Sequence, residues 1–313
     1  MKSVFTREQI DQFLHYIGLP EEHHHAPPTL DLLTQLHVYV LAAIPYENLA
    51  IHYNPSHQVI IDPQYCFKKV VVENRGRGGY CMENAIVYNE ILVGLGFDSY
   101  TAGVRTRMRV GGVPGGDYPG WVHIVSIVLI DGQKYHVDTA FGGDCATMPM
   151  PLVDGLVHAN IGTQQIRLRH DWIPAQQKRT EEHKLWIYEY RNSADSEFLP
   201  FYAFVELEFM PNDWEVCNYW TSTNVEKSWQ TRTVIIIKFL RRKVEGDEKG
   251  REEIFGKRML VDGVVKENLG RKTHVVCECK TEEERVAAIE KYFGIRLTED
   301  EKGSIKGWRT ELV

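Results

Sequence analysis

The sequence predicts an α+β fold in which helices lead and strands follow. Apolar residues recur at helical spacing through residues 1–97, strand-like apolar runs take over from about residue 98, and the tail mixes both patterns. Thr6 and Gln9 have capping-box spacing, with Ile10, Phe13, Leu14 and Ile17 behind them, so the chain opens with a short amphipathic helix. After the turn-rich EEHHHAPP, Thr29 caps a second helix through Leu30, Leu33, Leu36 and Leu41; it ends near Ile44, because Pro45 disfavours helix in the residue before it. In GRGGYCMENAIVYNEILVGLGF, glycines precede a third helix with Cys81 at its start and Gly94 and Gly96 at its end.

Trp121–Ile130 and Lys134–Phe141 read as two strands joined through Asp131-Gly132, a strong hairpin signal. Phe198–Met210, Thr231–Leu240, Arg258–Val265 and Lys272–Cys279 are further strands, and Thr281 with Glu284 caps a late helix through Ile289 and Phe293. The charged stretch Arg241–Glu253 reads as a solvated loop.

Composition narrows the function. A chain of 313 residues, 43% hydrophobic and 25% charged, supports two or three subdomains around a sizeable core. Its net charge of -7 argues against nucleic-acid binding, which needs Lys and Arg concentrated on one face. No window reaches the roughly 18–20 uncharged apolar residues of a membrane span, and the N-terminus lacks a signal-peptide core, so the expected compartment is the cytosol. Six cysteines without a regular framework suit free thiols in a reducing compartment. Neither His23–His25 nor Cys277 with Cys279 supplies a convincing ligand set, so no metal is expected.

Cys81 is the candidate nucleophile. A helix N-terminus lowers a thiol pKa, and Gly78 and Gly79 are expected to turn the backbone and leave space before the sulfur. The alternative is a structural cysteine after a tight turn. The hairpin supplies an independent test: a two-residue turn pairs Ile130 with Gln133 and makes His123 and Asp138 diagonal neighbours on one face, while a three-residue loop would separate them. His136 shares that face, farther along the strand, and is a second candidate base.

These residues carry a resemblance. IPYENL at 44–49, RGGYCME at 77–83, His123 in an apolar strand, VDTAFG at 137–142 and NYWTST at 218–223 are similar, in order and spacing, to the arylamine N-acetyltransferases. The resemblance covers residues 6 to about 230 and implies an N-terminal helical bundle (1–97) carrying the nucleophile, a central β-barrel (98–205) supplying His and Asp, and a C-terminal α/β lid (206–313). The first two parts would be related to papain-like cysteine proteases.

It further implies that Cys81 takes an acyl group from acyl-coenzyme A, His123 holds the thiol proton and Asp138 orients the imidazole. An arylamine, arylhydrazine or arylhydroxylamine then attacks the thioester. Acetyl-coenzyme A is the expected donor, as cosubstrate rather than tightly bound cofactor, in a cytoplasmic enzyme of xenobiotic metabolism; malonyl- or propionyl-coenzyme A are the alternatives. Gly142, Gly143, Thr221, Ser222 and Thr223 are the implied coenzyme A contacts, Tyr46 and Phe141 the implied acceptor contacts, and Glu47 with Arg77 a buried ion pair behind the cysteine loop. Arg105, Arg107 and Arg109 are available to a malonyl carboxylate or to solvent.

Two departures stand out: Asn84 and Ala85 replace the family's spacing of Asn after Glu83, and Ser222-Thr223-Asn224-Val225 lacks the family's proline. A cysteine hydrolase is a competing reading, but VVENRGRGGYC lacks the glutamine that papain-like proteases place before the cysteine. A non-catalytic relative is the third. Oligomeric state is not legible.

Overall fold

Thr6 opens the helix Arg7–Ile17: its hydroxyl accepts from the Gln9 N–H, and the Gln9 side chain accepts from the Thr6 N–H. The computed structural model describes residues 2–247 and 250–313. Ile10, Phe13, Leu14 and Ile17 enter one apolar cluster with Leu33, Leu36 and Val40 of the helix Leu30–Ala43, and with Val87, Ile91 and Leu92 of the helix Cys81–Gly94. Val128 and Val137 join this cluster, so the hairpin is packed onto the helices that carry Cys81.

The expected barrel takes the form of an eight-stranded antiparallel sheet. Its order is Met150–Pro151, Gln133–Val137, His123–Ile130, Asp98–Thr106, Leu199–Glu208, Leu185–Arg191, Gln165–Asp171 and Val157–Ala159. The hairpin has the two-residue turn: Ile130 pairs with Gln133 and Ser126 with Val137, while Asp131 and Gly132 both have positive φ (50° and 81°), as this turn type requires.

A second sheet of five strands joins the two ends of the chain. Tyr46–Glu47 pairs with Ile235–Lys243, followed by Glu252–Val261, Val264–Asn268 and His274–Glu278. Two expectations are corrected here. The single strand read at Arg258–Val265 is two strands that reverse at Asp262-Gly263, with Asp262 at φ 53°. The stretch read as a loop from Arg241 to Glu253 contains strand ends held by cross-strand charge pairs, Arg241–Glu252 at 2.9 Å and Arg242–Glu253 at 2.8 Å; Glu248 and Lys249 of that stretch lie outside the described residues. Among the described residues no helix is long and apolar enough to cross a membrane.

Three histidines are sealed in the interior, and burial pushes His37, His52 and His136 each down to about 4 from an ordinary 6.5. Neutral in the fold, they take up protons in the unfolded chain from about pH 6.5 downward. Their contribution is therefore present above that pH and is lost as pH falls toward 4. Urea unfolding midpoints are expected to drop steadily between pH 6.5 and 4; a midpoint flat across that window contradicts their neutral burial.

Candidate active site

The loop before Cys81 is shaped by what packs against it. A Cβ on Gly78 would lie 1.9 Å from the Pro45 carbonyl oxygen, and one on Gly79 would lie 2.5 Å from the Glu83 Cβ. The expectation that these glycines open space before the sulfur is thus corrected: the room they leave is filled by Pro45 and Glu83. The Asn84 side chain donates to the Pro45 and Gly79 carbonyls at 3.1 and 2.8 Å, and the Glu47 N–H donates to the Gly79 carbonyl at 2.9 Å. Asn84 therefore ties the cysteine loop to Pro45, although it stands one place earlier than the resembled pattern.

Charge fixes the loop from behind. Arg77 bonds Glu47 at 2.9 Å, both side chains almost fully buried, and also pairs with Glu301 near the end of the chain. Burial works to raise the Glu47 carboxyl, but Arg77 and then Lys69 hold it below its ordinary value. Glu83 pairs with Lys69 and accepts from the Tyr80 N–H at 3.0 Å, which anchors the start of the Cys81 helix. Removing one partner of a buried pair strands the other charge, so Arg77→Met is expected to cost about 3–5 kcal/mol, read as a loss of urea stability. A loss within ~0.5 kcal/mol would show that Glu47 does not depend on Arg77.

Cys81 begins its helix as expected and is buried, its thiol 3.8 Å from the Val122 carbonyl, next to His123. Burial pushes the thiol up from its ordinary range, while the N–H groups of Met82 and Cys81 pull it down and Asp138 and Glu83 add to the rise. The pull of the helix start expected from sequence is thus present but outweighed by burial.

His123 stands at the head of its strand with Nε2 2.8 Å from Asp138 Oδ2, leaving Nδ1 as the other ring nitrogen. Asp138 is buried, which acts to raise its pKa, but His123 and the Ala140 N–H hold it below its ordinary value. His136, the second candidate base, is fully buried with Nε2 2.8 Å from the Tyr202 hydroxyl. The structure thus joins the His123 imidazole to the Asp138 carboxylate on the hairpin that packs against the helix headed by Cys81, and sets the Cys81 thiol against the carbonyl of the residue before His123.

A family model described as N-acetyltransferase matches residues 29–302. The chain belongs to the arylamine N-acetyltransferase family. It is an acyltransferase. Two fungal relatives are named N-malonyltransferase FDB2. That of Fusarium pseudograminearum is 30% identical over 96% of this chain and 92% of its own length, and that of Gibberella moniliformis is 33% identical over 89% and 80%. The Mycobacterium marinum arylamine N-acetyltransferase, solved in complex with CoA, has the same fold, with TM-score 0.75 and 21% identity over 96% of this chain and 98% of that one.

Other positions implicated by resemblance to the arylamine N-acetyltransferases fall into two groups. Phe141 lies against His123, ring centroids 5.1 Å apart, and meets Phe201 and Tyr202 edge-on at 4.6 and 4.7 Å. Gly142 has φ 93°, and a Cβ there would sit 3.9 Å from the Tyr46 ring and 3.8 Å from Ile237. Lys257 donates to the Gly143 carbonyl. Thr221, Ser222 and Thr223 end the helix Pro211–Thr223; Ser222 and Thr223 donate back to the Asn218 and Tyr219 carbonyls, while the buried Thr221 hydroxyl has no hydrogen-bond partner among the described residues.

The three arginines differ. Arg105 stacks over Trp121 at 3.9 Å and donates to the Pro119 carbonyl, Arg107 donates to the Gly116 and Pro200 carbonyls, and Arg109 pairs with Asp144 over the Phe201 ring. Gln230, Tyr202, Asp144 and Lys257 were not singled out from sequence. Asp144 directly follows the VDTAFG segment and Gly143, while Gln230, Tyr202 and Lys257 sit in no motif and reach the site only through long-range pairing.

Proposed function

We propose that this chain is an acyl-coenzyme A-dependent arylamine N-acyltransferase that works through a thioester on Cys81, with malonyl the preferred acyl group in place of the acetyl group expected from sequence. The observation that supports the mechanism is the His123–Asp138 hydrogen bond, with the Cys81 thiol against the carbonyl of Val122, the residue before His123. His123 takes the thiol proton, and the sulfur attacks the thioester carbonyl. The carbon–sulfur bond to coenzyme A breaks, and the leaving thiolate is reprotonated from His123. An arylamine, arylhydrazine or arylhydroxylamine then attacks the acyl-enzyme, gives a proton to His123 and restores the Cys81 thiol. Coenzyme A departs before the amine reacts.

Support for malonyl comes from the two fungal N-malonyltransferases, which match most of this chain. The CoA complex of the Mycobacterium marinum relative supports coenzyme A as the carrier; Gly142, Gly143 and, at the end of the helix Pro211–Thr223, Thr221, Ser222 and Thr223 are its proposed contacts by resemblance. Cytosolic detoxification of aromatic amines fits this chemistry.

Intact-protein mass spectrometry tests the reading. Brief incubation with malonyl-, acetyl- or propionyl-coenzyme A, without amine, is expected to add one acyl group, fastest for malonyl and discharged by an arylamine. Fastest acylation from acetyl-coenzyme A would return the donor to acetyl. No adduct from any donor on a folded protein would favour a hydrolase or a non-catalytic relative.

A further inference from the structure

The Tyr46 side chain carries a hydroxyl into the apolar cluster that holds Cys81, Trp121, Phe141 and Ile237. Its backbone is fixed from two sides, by pairing with Ile237 and by a bridge to Gly79, two residues before Cys81. Burial and then the Cys81 thiol push the pKa of this hydroxyl up, so it stays protonated.

The direction of every hydrogen bond leading to that hydroxyl is determined. The Ile235 N–H donates to Asn48 Oδ1 at 2.8 Å, which makes the other Asn48 atom the amide nitrogen. Asn48 Nδ2 faces the Gln230 and Thr233 carbonyls and Gln230 Oε1, at 3.0, 2.8 and 3.2 Å. Gln230 must then present Nε2 to Tyr46, and it does so at 2.6 Å. The reversed amide would set donor against donor at Asn48. Tyr46 is therefore an acceptor toward Gln230, and among the described residues its buried O–H proton meets no hydrogen-bond acceptor.

Beside it, the missing side chain of Gly142 leaves the Tyr46 ring with only ordinary van der Waals distance to a would-be Cβ, and Lys257 lies 3.7 Å from the Cβ position of Gly143. The Tyr46 ring thus lies against Gly142, and the Lys257 ammonium, which donates to the Gly143 carbonyl and pairs with Asp144 at 3.5 Å, lies against Gly143.

We infer that Tyr46 is a specificity-determining residue whose hydroxyl donates its free proton to the distal carboxylate of the acyl group held on Cys81. An acetyl group has a methyl hydrogen where malonyl has this carboxylate, so it cannot use the bond. Hydrogen bonds to ionised acceptors are the stronger ones, and the dry, apolar wall around Cys81 makes an unmet carboxylate costly. The inference rests on the malonyl reading above and deepens it by naming the group that would recognise the donor.

The test is the ratio of kcat/KM for malonyl-coenzyme A over acetyl-coenzyme A, with one arylamine acceptor, in the wild type and in Tyr46→Phe. The substitution keeps the ring and removes only the hydroxyl. The ratio is expected to fall by about 10- to 100-fold, whatever loss the two donors share. A ratio within about twofold of wild type, with both donors reduced alike or neither, would reduce Tyr46 to packing and overturn the inference alone. A wild type that accepts no malonyl group would overturn the donor reading together with the inference.

Discussion

Cys81→Ser leaves the fold intact and stops acyl transfer, with kcat expected to fall by roughly 10^4-fold or more and no thioester adduct from any donor. The structure explains why no other thiol substitutes. All six cysteines are free, but Cys66 donates to the Ile60 carbonyl, and Cys145 donates to the Asp138 carbonyl behind the imidazole. Burial pushes both thiols up, as it does that of Cys81. What distinguishes Cys81 is its place at a helix start, with its thiol against the carbonyl of Val122, the residue before His123. Peptide mapping of the acylated wild type locates the adduct, and acylation of Cys145 or full activity in Cys81→Ser would end the proposed mechanism.

The second large effect is expected at the base. Burial pushes the Cys81 thiol up, and on the proposed mechanism its nucleophilicity at neutral pH depends on His123. In His123→Ala, alkylation of Cys81 by iodoacetamide should become slow at pH 7 and recover only on the strongly alkaline side, whereas the wild type reacts across the neutral range. Asp138→Asn keeps the shape but replaces a carboxylate that accepts from Nε2 with an amide that can turn its donor face toward the ring, so the imidazole loses its fixed tautomer. Its kcat is expected to drop on the order of 10^3- to 10^4-fold. An unchanged alkylation profile in His123→Ala would mean that the helix N-terminus suffices after all.

The hairpin was legible because Asp131-Gly132 is a local signal, and one turn type fixes the register that brings His123 to Asp138. The same dipeptide at Asp262-Gly263 carries equal information, yet Arg258–Val265 reads as one continuous strand, since apolar residues flank the turn closely on both sides. The glycines before Cys81 mark a site of close approach, but sequence cannot say that the approaching groups are Pro45 and Glu83. Nor can it weigh a helix dipole against burial, because burial is a property of the assembled interior. Gln230 and Glu301 lie beyond sequence reading for a simpler reason: each meets its partner across more than half the chain.

That last separation has a consequence in time. Arg77, which braces the cysteine loop, is gripped by Glu47 from the early part of the chain and by Glu301 near its end, and the Gly76 backbone nests against Gly294. During synthesis the helices and the hairpin can form while the second grip is still missing. Glu47 is thus available to Arg77 long before Glu301 is made, so the thiol loop is first held from one side and the segment around Glu301 closes the second grip afterwards.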